Sequence, residues 1–412
     1  MKHPGGVTVR GWGIPEGMES HEELHERADE RIEHLDERLW AVATALHERP
    51  ELSYEEHAAA GRLTAELAAD GFEVETGVAG LATAFVARAG EGRPCVALLL
   101  EYDALPGLGH ACGHNLIAAT GLGAALAAKD VLGDTPGSLL AVGTPAEERG
   151  GGKVAMAEAG VFDDVDAALM VHPGVHSWSW APLTAQVEVK VTFHGRAAHP
   201  TGDPEHGIDA LAALIQAFGA ISALRQRLPA GSHVQGIVTR GGEATNIVPD
   251  RAEGRFGLRA LTTDALDRLV EDVTTCAEGA ALATGAKVDV ERLGRGYAHF
   301  RDNPVLSERF TEHLAACGIH ATPPSPGVFL GSSDIGDVSV RVPAIHPFVA
   351  ITAEEKSDHT PEFAEAAASP RGRAAMLASA AALARTVIDL RTHPALVSRA
   401  WDCFRDLARN GR

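Results

Sequence analysis

Basic side chains are scarce in this sequence. Lysine and arginine number 36 against 56 aspartates and glutamates, a formal charge of −20 over 412 residues. Such a surface repels phosphate backbones, so nucleic acid is not an expected partner. Cysteine is scarcer still. Cys95, Cys112, Cys276, Cys317 and Cys403 are odd in number and scattered. No disulfide framework is expected, and a reducing, cytoplasmic location fits. Long apolar runs are also missing. Stretches such as 116–128 are broken by glycine or charge well short of the roughly 18 residues of a membrane span, so no membrane association is expected. Residues 1–19 have no basic segment followed by an apolar core, which argues against a signal peptide. Their glycines and prolines without periodicity read as a flexible N-terminal arm. Apolar residues are not in short supply: at 45% of the chain they can build ordinary globular cores, and the length suffices for two domains.

Periodicity divides the rest. Residues 20–47 place Leu24, Ile32, Leu35, Leu39, Ala43 and Leu46 at helical spacing. A second helix is predicted over 54–70, closed by Gly71. Short apolar runs at 82–88, 95–101, 138–144 and 167–171 read as buried strands, alternating with helices at 116–129 and 153–159. That alternation predicts a mainly parallel sheet covered on both faces. From 186 the texture changes. Val187, Val189, Val191 and Phe193 alternate as in a half-exposed strand. Strand, helix (208–228), strand (233–239), strand (within 248–261), helix (266–284) and strand (287–292) follow the order of a ferredoxin-like unit. Helices at 303–316 and 364–391 return to the first texture. The chain therefore reads as one catalytic domain, 20–183 and 299–412, interrupted by an inserted domain at 184–298.

Four short segments carry side chains suited to chemistry, each near a predicted strand end, where ligands of α/β sheets bind. In the first, Glu101-Tyr102-Asp103-Ala104-Leu105-Pro106 leads to Cys112-Gly113-His114-Asn115. A thiolate and an imidazole one glycine apart can reach one metal ion, although a glycine loop with incidental Cys and His would look the same. In the second, Glu147 and Glu148 follow a strand. One could bind metal while the other moves a proton, or both could sit in solvent at a helix start. His172 ends the third segment, and a lone core histidine is its plainer reading. The fourth, Ser357-Asp358-His359-Thr360-Pro361, could simply cap a helix. Together the four form a metal-hydrolase inventory.

These segments resemble the aminoacylase and p-aminobenzoyl-glutamate hydrolase family of zinc metallopeptidases and amidohydrolases, in its dipeptidase-like amidohydrolase branch. The resemblance runs from Leu46-His47-Glu48-Arg49-Pro50-Glu51-Leu52-Ser53 to His359-Thr360-Pro361-Glu362-Phe363. It implies an α/β, phosphorylase/hydrolase-like catalytic domain with an inserted ferredoxin-like α+β dimerisation, or lid, domain. It implies two divalent metal ions, zinc first and manganese or cobalt as alternatives, on Cys112, His114, Glu148, His172 and His359. Glu147 would be the general base, and Asp103 would orient a ligand. His199, in Gly195-Arg196-Ala197-Ala198-His199-Pro200, would polarise the scissile carbonyl, in many members from the partner subunit of a homodimer. Asn246, Arg259 and the Gly331-Ser332-Ser333-Asp334 loop, through Gly331 and Ser332, would contact a small amide substrate. The chain departs from other branches in having Glu101 where some carry a metal-binding histidine, and Asn115 where many carry aspartate. The expected activity is hydrolysis of an N-acyl amino acid or dipeptide-like amide. A carboxypeptidase, a deacetylase, an inactive metal-binding scaffold and a subunit of a two-chain enzyme are the alternatives. Trp178, Trp180 and Pro182 either line the pocket or form an interdomain hinge.

Overall fold

A computed structural model describes residues 20–410; the arm expected over 1–19 lies outside them. The first helix, α1 (His21–Glu48), opens with a reciprocal cap. Glu23 N–H donates to Ser20 Oγ at 3.3 Å, and Ser20 N–H donates to the Glu23 carboxylate at 2.7 Å. Its buried stripe contains the expected Ile32, Leu35, Leu39, Ala43 and Leu46. The second, α2 (His57–Ala69), starts three residues later than predicted, because Tyr54 lies at φ 68°, outside helical space. Gly71 follows it at φ 79°, a conformation that glycine adopts without strain.

Next come β1 (Glu73–Thr76), β2 (Phe85–Glu91), β3 (Cys95–Leu100), α3 (His114–Leu132), β4 (Gly137–Gly143), α4 (Gly152–Glu158), β5 (Ala167–Leu169) and β6 (His172–Gly174). The inserted unit comprises β7 (Ala185–His194), α5 (Ala210–Arg225), β8 (His233–Arg240), β9 (Arg251–Ala260), α6 (Thr263–Thr284) and β10 (Lys287–Tyr297). The chain then gives α7 (Pro304–Ala316), α8 (Ile335–Ser339), β11 (Ala344–Ile345), β12 (Phe348–Ala350), α9 (Pro361–Ala367), α10 (Pro370–Thr392) and α11 (Pro394–Arg409). The single helix predicted over 364–391 is two. Pro370 has no N–H to continue α9, and Ser369 caps α10 by accepting from Gly372 N–H at 3.1 Å.

The large sheet has the order β1-β2-β4-β3-β5-β11. Its β4-β3-β5-β11 part is parallel, and β1 and β2 extend it antiparallel. Successive residues of β3 serve two cores. Val96, Leu98 and Leu100 pack with α1, α3 and α10, while Cys95, Ala97 and Leu99 pack with Met156, Phe162 and Val338 on the other face. Double coverage explains why β3 and β4 read as unbroken apolar runs. By composition α3 is apolar enough to pass for a membrane span, but all its residues except Lys129 and Asp130 are buried. The approach to α1 is close: a Cβ on Gly123 would lie 2.6 Å from Leu39 Cδ1.

The second sheet runs β10-β7-β9-β8, antiparallel throughout, which is the ferredoxin-like arrangement. It has its own core, in which Val187, Val189, Val191 and Phe193 meet Leu214, Ile221 and Val273. A two-stranded parallel sheet joins β12 to β6. It sets His172 beside Phe348.

Candidate metal centre

The candidate ligands converge at the carboxyl ends of the parallel strands. β3 delivers Glu101 and Asp103, and the loop after it returns through Gly113, at φ 79°, into α3 headed by His114. β4 delivers Glu147 and Glu148, β6 begins at His172, and His359 precedes α9. The Cys112 sulfur lies 3.6 Å from His172 Nε2. Glu148 Oε1 lies 3.6 Å from His359 Nε2 and 4.0 Å from His114 Nε2. The donor atoms of Cys112, His114 and His172 all fall within 4.8 Å of one another, as do those of Cys112, Glu148 and His359 and those of His114, Glu147 and Glu148.

Hydrogen bonds behind the cluster fix which ring nitrogens face inward. His114 donates from Nδ1 to Asp103 Oδ1 at 3.0 Å, and His172 donates from Nδ1 to the Pro173 carbonyl at 2.6 Å. Both Nε2 atoms thus keep a free lone pair toward the common space. His114 Nε2 and Glu148 Oε1 are buried and have no hydrogen-bond partner. Two such orphans are costly unless a cation completes them. A thiol, three imidazoles and a carboxylate around one space fit a divalent ion.

Asp103 is placed behind this set. Its second oxygen accepts from Ser53 Oγ at 2.8 Å and from Glu148 N–H at 3.0 Å. Burial alone would raise its pKa, but these bonds and His114 outweigh that and hold it at about 2. Asp103 therefore orients His114 and Glu148 together. Glu147 is half-buried in the cavity wall. Burial, and then the carboxylates of Glu101 and Asp334, push its pKa well above the usual range. Two residues of this region sit at positive φ without being glycine: Ala146 at 61° and His359 at 54°. Strain of this kind persists where surrounding bonds over-determine it.

A cavity of about 300 Å³ opens over the cluster. Cys112, Glu147, Glu148, His172 and His359 line one side. Arg259, Gly331 and Ser332 reach it from the other, beside Leu183, Tyr297, Leu330 and Phe348. Arg259 donates from Nη1 to Ser332 Oγ at 2.7 Å. Its guanidinium pairs with no carboxylate among the described residues, and burial depresses its pKa. His199 and Asn246 are not brought in. Both are exposed on the ferredoxin-like unit and neither lines the cavity. Trp178 bridges Thr322 and Phe348, and Pro182 accepts from Leu330 N–H, so this segment is tied to the catalytic unit, and neither residue lines the cavity. Trp180 instead borders a larger cavity of about 600 Å³ beside α7, which holds none of the candidate ligands.

Comparison with known proteins agrees with this geometry. Residues 97–389 match peptidase family M20/M25/M40. The chain is 39% identical to the mouse Xaa-Arg dipeptidase over 398 residues, covering 91% of this chain and 90% of the mouse protein. The chain belongs to the M20 peptidases. It is a metal-dependent hydrolase acting on amide bonds. It is also 32% identical to one of the subunits of p-aminobenzoyl-glutamate hydrolase from Escherichia coli K12, over 72% of this chain and 66% of that one. Its fold is that of a Bacillus subtilis dinuclear metal-binding M20 peptidase, with TM-score 0.66 at 23% identity over 87% of this chain and 99% of that one.

One residue beside this M20 centre, Lys153, escaped the sequence reading. Lys153 is completely buried behind it, 2.5 Å from Glu101 Oε1 and 2.7 Å from Asp334 Oδ1. The signal was a lone lysine in α4, whose other residues before Glu158 are apolar. Its backbone N–H also donates to Asp334 at 2.9 Å. His110 is buried, and burial with His114 and His47 lowers its pKa to about 3, so it remains neutral beside the ligands. His346 stacks on His172, with ring centroids 5.4 Å apart.

Proposed function

We propose that this M20 peptidase cleaves the amide bond of an N-acyl amino acid or a dipeptide-like substrate at a two-metal centre. The observation that supports it best is the meeting of five donor side chains, a poised carboxylate and an unpaired arginine at one cavity. Cys112, His114, Glu148, His172 and His359 would hold two divalent ions, zinc by virtue of the thiolate, with manganese or cobalt as alternatives. When bound, such ions lower the pKa of water from about 15.7 toward 7 and polarise a carbonyl. Glu147 takes the proton of the attacking water on its carboxylate. It then passes that proton to the departing nitrogen, which leaves poorly without one. Arg259, which pairs with no carboxylate among the described residues, receives the carboxylate of the amino-acid product side by a bidentate contact. Gly331 and Ser332 wall that end.

His199 and Asn246 lie outside their own chain's cavity, so we assign them to the site of a partner subunit in a homodimer. There His199 would donate to the carbonyl oxygen as negative charge develops, a contact worth on the order of 3 kcal/mol. The surface for a second copy is available. β8 ends its sheet, and Ile237, Val238 and, on α5, Ile215 are 60%, 51% and 60% exposed. An unpaired edge with apolar side chains favours strand-to-strand association.

The deciding experiment is a hydrolysis screen of metal-loaded protein. It covers Xaa-Arg and β-alanyl dipeptides, N-acyl amino acids and p-aminobenzoyl-glutamate, with a chelated control and Glu147→Gln alongside. Glu147→Gln should keep its metal and lose at least about 10²-fold in rate. Near-normal turnover in that variant would overturn the assignment.

A further inference from the structure

Glu56 is completely buried and belongs to none of the ligand or substrate sets above. It stands at the N-cap of α2, yet its side chain makes no capping bond. That work is done by Glu51, which accepts from Ala58 N–H at 2.8 Å and Ala59 N–H at 2.9 Å. Glu56 turns instead toward the centre. Its Oε1 accepts from Tyr54 N–H at 2.8 Å and from Ala146 N–H at 2.9 Å, and its Oε2 accepts from Thr83 Oγ1 at 2.8 Å. Tyr54 and Ala146 are two of the four non-glycine residues at positive φ among the described residues. One oxygen therefore holds both strained amides.

Ala146 directly precedes Glu147 and Glu148. Sheet bonding cannot secure its amide, because β4 ends at Gly143, and Ala146 itself is fully buried. The rest of the turn is pinned from the same side. Tyr54 Oη donates to the Gly150 carbonyl at 2.9 Å, and Gly151 N–H donates to the Ala146 carbonyl at 3.0 Å. A Cβ on Gly150 would come within 2.3 Å of the Tyr54 ring. A buried carboxylate is costly unless its bonds are made, and here they are spent on the turn that aims the two glutamates.

We propose that Glu56 is a positioning residue for Glu147 and Glu148: it clamps the strained Ala146 turn and so sets the direction of both carboxylates. This rests on the reading of those two as base and ligand. What the clamp requires is an acceptor at the right reach, not a charge. Glutamine can offer its carbonyl oxygen to both amides while its NH₂ donates to Thr83 Oγ1. Aspartate keeps the charge but falls one methylene short.

The test compares Glu56→Gln, Glu56→Asp and Glu56→Ala in the full-length, zinc-loaded protein. Amide hydrogen exchange of the 144–151 segment is followed by mass spectrometry, zinc content by elemental analysis, and kcat and KM on β-alanyl-L-arginine. In Glu56→Asp the segment should exchange at least about tenfold faster while the sheet stays protected. Its kcat should fall on the order of 10²-fold, the scale of an ångström's misplacement, with KM little changed. Glu56→Gln should match the parent in both readouts. Should Glu56→Ala fail to fold, the Asp and Gln pair still decides. Parental exchange in Glu56→Asp, or equal damage in Glu56→Gln, would overturn the clamp. Glu147→Gln, run beside them, separates the two readings. If it is inactive while Glu56→Asp has parental kcat, the clamp fails alone. If it retains turnover, the reading of Glu147 fails.

Discussion

Replacing Lys153 by methionine should be among the most damaging single changes in the catalytic unit. The lysine is wholly buried and lies 2.5 Å and 2.7 Å from two carboxylates that are themselves wholly buried, Glu101 and Asp334. Methionine fills nearly the same space, so little cavity is created. What is lost is the only lysine or arginine paired with either acid among the described residues. Removing one partner of a buried pair costs about 3–5 kcal/mol, because the other is left charged and dry. At roughly 2–4 °C per kcal/mol for larger domains, that is about 6–20 °C in melting midpoint. The assay is urea and thermal unfolding of chelated protein, so that metal binding to the folded state does not mask the loss. Neutralising all three positions (Glu101→Gln, Lys153→Met, Asp334→Asn) should recover most of the stability, since a buried ionic group replaced as a whole is often near neutral. A loss below about 1 kcal/mol in Lys153→Met would refute the reasoning. So would a triple variant worse than the single. Lys153 also joins α4, just beyond Glu147 and Glu148, to Asp334 at the foot of the Gly331–Ser332 loop. The destabilised variant should therefore bind metal and substrate less tightly as well.

Cys112→Ala should lower the metal content of dialysed protein, and full occupancy by elemental analysis would count against ligation by its thiolate. His199→Ala and Glu147→Gln should each be weak as homodimers. Their equimolar mixture should regain about a quarter of parental activity, because half the dimers are mixed and each has one intact site; no recovery after verified subunit exchange would overturn the assignment to the partner's site and leave His199 acting within its own chain or not at all. Burial, partly offset by Ser307, raises the Asp302 carboxyl from its ordinary value to about 7. A carboxyl raised on folding favours the protonated native state, so its contribution is complete below about pH 4 and is lost as pH rises through about 7. The melting midpoint should therefore fall more steeply between about pH 4 and 7 in the parent than in Asp302→Asn; equal slopes would show that the Asp302 pKa is not raised on folding.

Much of this architecture was legible because one face of a strand or helix must be dry. Val187, Val189, Val191 and Phe193 announced β7, and Ile32, Leu35 and Leu39 announced α1. The ligand segments were legible because their spacing is unusual and three of the four follow strands of the large sheet. Less regular features were not. β1 has four residues, and only Val74 among them is even half-buried, so no periodicity betrays it. The break before Pro370 was hidden by alanine-rich sequence on both sides, although the proline was in plain view. Glu56 and Lys153 were invisible for a different reason. In a string of letters, a buried charge with its bonds made looks like any solvated one. Its partners, Ala146 and Tyr54 for the first and Glu101 and Asp334 for the second, come from distant segments that only the fold assembles. His199 and Asn246 present the converse case, since their motifs were readable but one chain leaves them outside its own cavity.

The ferredoxin-like unit leaves and re-enters the rest of the chain on adjacent strands. β7 and β10 pair, and Gln186 lies opposite Tyr297. The insertion thus closes on itself like a long hairpin, and its two ends meet whether or not the large sheet has formed. For folding, this means that much of the entropy needed to bring residues 20–183 and 299–412 together is already spent inside the inserted unit, rather than across an open loop of that length. For descent, it means that such a unit can be gained, lost or exchanged at a two-strand stem without moving Cys112, Glu148 or His172. A shortened chain with a tight turn joining positions 186 and 297 would keep every ligand while discarding the strand edge at β8.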